Sequence, residues 1–515
     1  MSRADAQLRI FETLWDELRP RIATDRNLPA RIQQRLAKEK RFGSRDRRLY
    51  RELLYTALRY LPWLENDTGR QPVGGAAAVL WLASDSPATL PLKRELLASA
   101  PPCPPTITER AALLGQPADA LLPEWFRAHC PAAFEEPDIT ALHTRAPLWL
   151  RLQTDNPAPV FAEFAARGWK WKRASEGSTD IPVCAGNLPP SPHRQECLCH
   201  PSKTDALELL AANDPDLTQT DAYRRGLVEI QDFGSQLVLA VALNAEHPSD
   251  ASDASYGVRD FSPAFDGPIY WPAPSPSGSG MNPAVKSGTE VPHSTKRPAI
   301  SHPRWLDACA GAGGKTLQLA RILGPDALVD ATDPRPAALA ELRARAARAG
   351  VENIRVLQAT PASADASASA PALASGNPKS RIQNPKSYDG VLVDAPCSGT
   401  GTWRRNPHLK YCVPESAIHA AAKLQLEILA RHAPLVRAGG GVLIYATCSL
   451  SRVENENVVG AFLADPAHRD FSLARQATIL PAAHNTDGFF TATLRRGNQP
   501  LSLCQKRAES RNLVI

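Results

Sequence analysis

Two short motifs, each closing a run of apolar residues, restrict the fold of this chain most. Val391-Leu392-Val393 leads into Asp394-Ala395-Pro396-Cys397-Ser398-Gly399-Thr400-Gly401, and Gly441-Val442-Leu443-Ile444-Tyr445 leads into Ala446-Thr447-Cys448-Ser449. Apolar runs without alternation, followed at once by turn-forming residues, read as strands buried on both faces, the habit of parallel sheets. Open sheets of that kind bind ligands beyond the carboxyl ends of their strands. Both thiols are therefore expected in one crevice.

The flanking sequence agrees with such a sheet. A strand pattern begins at Leu306, Leu317–Leu323 is helical, and Ala327–Thr332 is strand-like. Ala337–Ala349 is an Ala/Arg/Leu helix stopped by Gly350, and Ile354–Leu357 is a third strand. A helix from about Ser416 to Leu435 separates the two cysteine strands. Alternation of this kind predicts a doubly wound α/β sheet. Residues 1–140 read differently: Leu8, Phe11, Trp15 and Leu18, then Leu49, Leu53, Ala57 and Tyr60, recur at helical spacing, with Ser44 as the expected cap of the second helix. This predicts an all-helical domain. Residues 141–220 hold a small α/β segment, with strands at Leu148–Leu152 and Trp169–Trp171 around a helix from Pro159 to Arg167. Residues 221–515 form the large α/β domain. Turn-rich or low-complexity stretches near 177–203, 246–300 and 360–387 read as insertions into this plan.

Bulk properties narrow the class. The chain has 515 residues and no run of about 18 apolar residues, so no membrane span is expected. The opening residues lack the apolar core of a signal peptide, which points to the cytoplasm, where ten cysteines remain free thiols. Residues 1–60 carry 15 Lys/Arg against 8 Asp/Glu, an excess larger than the +6 of the whole chain. A basic module beside a near-neutral domain suits an anionic polymer such as RNA; a solvated helix face would look the same.

The turn Cys309-Ala310-Gly311-Ala312-Gly313-Gly314-Lys315 follows the first strand, and its glycines let backbone approach a ligand. Asp333 comes 19 residues after Gly314, at the end of the next strand. It could accept hydrogen bonds from the ribose hydroxyls of a cofactor, or cap the helix that follows. Two thiols beyond a cofactor turn fit methylation of a pyrimidine ring. Carbon 5 of cytosine is a poor nucleophile until a thiolate adds to carbon 6, and a base must later remove the carbon-5 proton. One cysteine as nucleophile and one as base meet both needs. Lys315, Arg404 and Arg405 are cations able to favour thiolate. His408 and Lys410 are candidate phosphate contacts. Trp149, Trp169 and Trp171 are candidate base-stacking residues, although core packing is the commoner fate of strand aromatics. Cys197, Cys199 and His200 lack a fourth ligand, so no metal is assigned.

Together, Asp-Ala-Pro-Cys-Ser-Gly-Thr-Gly-Thr, Tyr-Ala-Thr-Cys-Ser and the Gly-Gly-Lys-Thr turn resemble the RNA 5-methylcytosine methyltransferases of the Sun/Fmu (RsmB) and NOP2/NSUN superfamily. Within it, the chain is most similar to bacterial enzymes that methylate 16S ribosomal RNA and carry a NusB-like helical domain, which the segment Gly43–Arg59 resembles. Gly226–Gln236 resembles the stretch before the cofactor strand, and Asp487-Gly488-Phe489-Phe490 the closing strand. The resemblance implies a Rossmann-like class I methyltransferase sheet, S-adenosylmethionine as cofactor and RNA as partner. It implies Cys448 as nucleophile, Cys397 as base, Asp394 at the cytosine edge and Lys315 between Asp394 and the reacting groups. Cys309, Ala310, Gly311, Ala312, Gly313, Gly314, Lys315, Asp333 and Asp394 would line the cofactor. The third strand lacks the family's acid, so adenine recognition would rest on Gln358 or Thr360. The Glu454-Asn455-Glu456 stretch reads as the start of a helix with a structural role.

Two other readings remain. One is the same chemistry on transfer RNA. The other is a non-catalytic RNA-binding or ribosome-assembly factor on the same fold, which would not need the cysteine pair.

Overall fold

The computed structural model describes residues 2–66, 69–70, 72–174, 206–210, 215–243, 302–357 and 387–497. Thr360, Gln358, Cys197, Cys199 and His200 lie outside them. Near the start, Ser2 caps helix Arg3–Leu18: its Oγ accepts the Asp5 N–H at 3.1 Å, and the Asp5 carboxylate accepts the Ser2 N–H at 2.9 Å. Phe11, Leu14 and Leu18 are buried, with Leu8 and Trp15 at the edge of the same core. Helix Ser44–Arg59 buries Leu49, Leu53 and Ala57, and Tyr60 follows into the core. Its cap is Gly43 rather than Ser44. The Asp46 carboxylate reaches back to the Gly43 N–H at 3.0 Å, which makes Ser44 the first helical residue. Short helices continue to Asp138–His143 with no strand among the described residues, so the N-terminal region is helical as expected.

A four-stranded antiparallel sheet follows, built from β1 (Leu148–Leu152), β2 (Trp171–Arg173), β3 (Ala206–Leu209) and β4 (Val228–Ile230) in the order β2-β3-β1-β4. Helix Ala158–Ala166 lays Val160 and Phe164 on it. Strand β4 pairs with β1, Leu150 opposite Ile230, so these residues belong to the small sheet although the sequence reading grouped them with the large domain.

The large sheet comprises β5 (Arg304–Asp307), β6 (Leu328–Ala331), β7 (Ile354–Val356), β8 (Gly390–Asp394), β9 (Gly441–Thr447), β10 (Phe471–Ile479) and β11 (Phe489–Arg496), ordered β10-β11-β9-β8-β5-β6-β7. β5 to β9 are parallel; β10 and β11 form an antiparallel hairpin added to β9. From β5 the chain steps outward through β6 and β7, then returns to lay β8 on the other side of β5. That reversal between β5 and β8 opens a crevice at their carboxyl ends. Val391, Leu392, Val393, Leu443, Ile444 and Tyr445 are all fully buried, as the uninterrupted apolar runs required. The fold is thus a Rossmann-like α/β sheet behind a helical region and a small α/β segment. Among the described residues no helix is long and apolar enough to cross a membrane.

Trp305 on β5 packs flat over Gly390 on β8, where an added Cβ would come within 2.3 Å of the indole. Gly390→Ala should therefore overpack the sheet and lower stability by about 1–3 kcal/mol. Urea unfolding of the two chains measures it; equal midpoints would mean that the strands slide apart without cost.

Candidate active site

The turn after β5 is held by backbone conformations that suit glycine. Gly311 has φ +53° and Gly313 φ +89°, and a Cβ on Gly313 would meet Leu342 Cδ1 at 2.1 Å. Helix Gly314–Leu323 then starts with its N-terminus toward the crevice. Asp307, at the end of β5, is fully enclosed and anchors the turn: it accepts the Thr316 hydroxyl at 2.7 Å and the Cys309 N–H at 3.3 Å. Burial, with the Asp394 charge nearby, pushes its carboxyl up to about 7. Burial and the surrounding carboxylates also push the Cys309 thiol up, so this third cysteine stays a thiol.

Asp333 lies at the end of β6 with its carboxylate facing the turn. Its oxygens accept the Gly311 N–H at 2.9 Å and three N–H groups of Arg335, each at 2.9 Å. Burial opposes its ionisation, but these bonds outweigh it and hold the carboxyl below the usual range. The following helix, Pro336–Arg348, has no side-chain cap. The Asp333 carboxylate thus serves the N-cap residue of that helix, through the Arg335 N–H, and the glycine turn, through the Gly311 N–H. The Arg335 side chain that covers it is 70% exposed.

Beyond β8 and β9 the two thiols converge. The parallel register sets Asp394 opposite Ala446, and Cys397 Sγ lies 3.3 Å from Cys448 Sγ. The hydrogen bond to Cys448, with burial, raises the Cys397 thiol well above its ordinary value. The Lys315 ammonium donates to Asp394 Oδ2 at 3.0 Å and stands 5.3 Å from the centre of the Phe489 ring. Burial works against its charge, yet Asp394 and then Cys448 raise its pKa overall, so a permanent cation faces the sulfur pair. Lys315 is enclosed, whereas the Asp394 side chain is 30% exposed and open to the crevice.

The stretch after the second cysteine does more than begin a helix. Helix Glu456–Ala464 starts two residues later, and the wholly buried Glu454 carboxylate laces the two cysteine loops. It accepts the Ser398 N–H at 2.8 Å, the Ser398 hydroxyl, the Ser449 hydroxyl at 2.6 Å and the Gln425 amide at 3.0 Å. A signal for this was present: each cysteine is followed by a serine, and both hydroxyls end on one acid. The loops are tied further by Thr400 to Ser449 at 2.9 Å and by the Gly401 N–H to the Cys448 carbonyl at 3.0 Å.

Several expected contacts lie elsewhere. Arg404 donates to the carbonyls of Thr144 and Arg145 and to Asn485; Arg405 pairs with Asp487 and Asp232. Neither serves the thiols, because the chain after Gly401 turns away toward the helical region. His408 and Lys410 do not face solvent as phosphate contacts would. His408 is buried against the Arg26 carbonyl at 3.0 Å, and Lys410 Nζ reaches the carbonyls of Arg59 and Leu121 at 3.0 Å and His143 Nε2 at 3.1 Å. Trp149 is buried against Phe233, Trp169 lies beside Phe164, and Trp171 stacks on Phe161 at 5.2 Å, so all three pack within the protein.

Glu454→Ala would strand four donors at once, those of Ser449 and Gln425 buried. Stability should fall by about 3 kcal/mol or more, with Glu454→Gln intermediate. Thermal unfolding checks the first effect, and the rate at which a thiol reagent labels Cys397 and Cys448 should rise as the loops loosen.

Residues 298–495 match the family model described as 16S rRNA methyltransferase RsmB/F. The chain is 32% identical over 208 residues to the probable ribosomal RNA small subunit methyltransferase B of Bacillus subtilis, covering 37% of this chain and 42% of that protein. It is 35% identical over 193 residues to ribosomal RNA small subunit methyltransferase B of Proteus mirabilis, covering 37% and 40%. These matches span less than half the length of the relatives. The crystal structure of PH0851 superposes with a TM-score of 0.53 at 19% identity, over 90% of this chain and 93% of that one, which extends the likeness of fold beyond the matched domain. Residues 298–495, with both cysteine loops and the glycine turn inside the match, are similar to the RsmB/F methyltransferase family.

Proposed function

We propose that this protein transfers a methyl group from S-adenosylmethionine to carbon 5 of a cytosine in RNA, with 16S ribosomal RNA as the favoured substrate. The observation that carries the reading is the pair of sulfurs 3.3 Å apart, beside a lysine–carboxylate pair, at the carboxyl ends of neighbouring parallel strands. Two thiols in one crevice suit a reaction that needs both a nucleophile and a base, whereas methylation of an amino group needs neither thiol.

The turn fits the cofactor. A Cβ at Gly314 would meet no atom within 4 Å, Gly314 opens the helix that follows the turn, and the exposed Arg335 side chain could give way at Asp333. Residues Cys309 to Lys315 would hold the cofactor by backbone, Asp333 would take its ribose hydroxyls, and Asp394 would border the methyl-bearing end. Bound there, S-adenosylmethionine supplies an electrophilic methyl group.

The protein's own groups divide the remaining work. Cys448, the cysteine of the Thr-Cys motif, gives its proton to solvent and adds as the thiolate to carbon 6 of the ring. Asp394 accepts from the amino edge of cytosine, and Lys315 holds Asp394 in place while offsetting the negative charge that enters the ring. Once carbon 5 carries the methyl group, Cys397, its own proton passed to solvent, takes the carbon-5 proton and returns to the thiol. The carbon–sulfur bond to Cys448 then breaks and the aromatic ring is restored. Glu454 holds both loops so that the two sulfurs stay on the same base.

Wild type, Cys448→Ser and Cys397→Ser incubated with methyl-labelled S-adenosylmethionine and unmodified 16S RNA test the assignment. Wild type should transfer label, Cys448→Ser should give neither transfer nor adduct, and Cys397→Ser should accumulate a denaturation-resistant, methylated protein–RNA adduct. An adduct in Cys448→Ser would reverse the roles. Cofactor binding without transfer to 16S RNA would move the substrate to another RNA, and no cofactor binding would support an assembly factor instead.

A further inference from the structure

The junction between the helical region and the Rossmann sheet gathers three metal-ligating side chains that no sequence spacing revealed. His129 comes from the helical region, Glu415 and His419 from the first turns of helix Glu415–His432. Their donor atoms all lie within 4.8 Å of one another, and His129 Nε2 is 3.0 Å from Glu415 Oε1. Glu415 and His419 are four residues apart on one helix and so share a face. Both are exposed, whereas His129 is 3% exposed and fixed from behind: its Nδ1 lies 2.8 Å from the Ser451 hydroxyl.

From this arrangement we propose that His129, Glu415 and His419 bind a divalent transition-metal ion of the zinc class. Two imidazoles and a carboxylate are a donor set for such an ion, with a fourth position left to water. Four-coordinate ligation sets donor atoms about 3.3 Å apart, so two exposed side chains need to close by only about 1.5 Å from the widest separation present. A ligating imidazole presents an unprotonated nitrogen, and its other nitrogen must then donate. Ser451 Oγ accepts that proton as readily as it donates its own, so His129 can change tautomer without moving. The His129 carbonyl also accepts the Arg452 N–H at 3.2 Å. An ion here would pin the helical region to the segment that starts three residues after Cys448.

The test uses the full chain, free of affinity tags and stripped of metal, titrated with Co2+ and followed by visible absorption. Wild type should bind one ion with the intense ligand-field spectrum of four-coordinate cobalt and no thiolate charge-transfer band, and Zn2+ should displace it. His419→Ala and Glu415→Gln, both surface changes, should each weaken binding about 100-fold or more, and Ser451→Ala about 10–100-fold. Zn2+ should raise the melting temperature of wild type but not of His419→Ala. Equal cobalt binding by wild type and His419→Ala, or a signal lost with Cys397→Ser and Cys448→Ser instead, would overturn the proposal.

Discussion

The parallel pairing of β8 with β9 is the constraint on which the site depends. With Asp394 opposite Ala446, chain that leaves either strand must enter the same space, and Cys397 and Cys448 meet at 3.3 Å. A one-residue slip would turn every strand side chain to the opposite face and part the sulfurs. The strands resist slipping because both faces are buried: Val391, Val393, Leu443 and Tyr445 lie in one apolar layer, and Leu392 and Ile444 in another. Two separate cores thus hold one register.

The crevice depends equally on a buried acid and on the order of strands. Glu454 gathers donors from both cysteine loops and from Gln425, and no water is needed to satisfy it. A carboxylate enclosed in that way is stable because each oxygen has several partners; removing the partners would leave an uncompensated charge. On the other side, return of the chain across β5 brings Lys315 to Asp394 over 79 residues of sequence. The nucleotide-type turn and the thiols are neighbours only because of that reversal.

The segment after Gly401 shows how the helical region is coupled to the sheet. Trp403 is almost fully buried among Phe126 and Trp125, and Leu450, two residues after Cys448, joins the same helical core. Arg404, His408 and Lys410, which look like solvent-facing basic residues in a loop, satisfy backbone carbonyls of the helical region instead. Enclosure, with the Arg59 charge nearby, pushes the Lys410 ammonium down to about 7. The helices are therefore part of the wall that supports both cysteine loops.

Much of this was legible in the order of residues. Short apolar runs without alternation, each closed by turn-forming residues, read as buried strands, glycines at Gly311 and Gly313 mark backbone turns closed to other residues, and the Cys-Ser pairs announced two loops of the same kind. These are local consequences of side-chain size, polarity and backbone freedom, so the strands, the helical region and the cysteine motifs could be placed without coordinates. Other features depend on which distant segments pack together: the role of Glu454, the membership of β4 in the small sheet, the burial of His408 and Lys410, and the meeting of His129 with Glu415 and His419. A charged residue has no intrinsic address. Whether it faces solvent, pairs across a crevice or is enclosed at a junction is settled by tertiary packing, because only packing removes water and decides which partner replaces it.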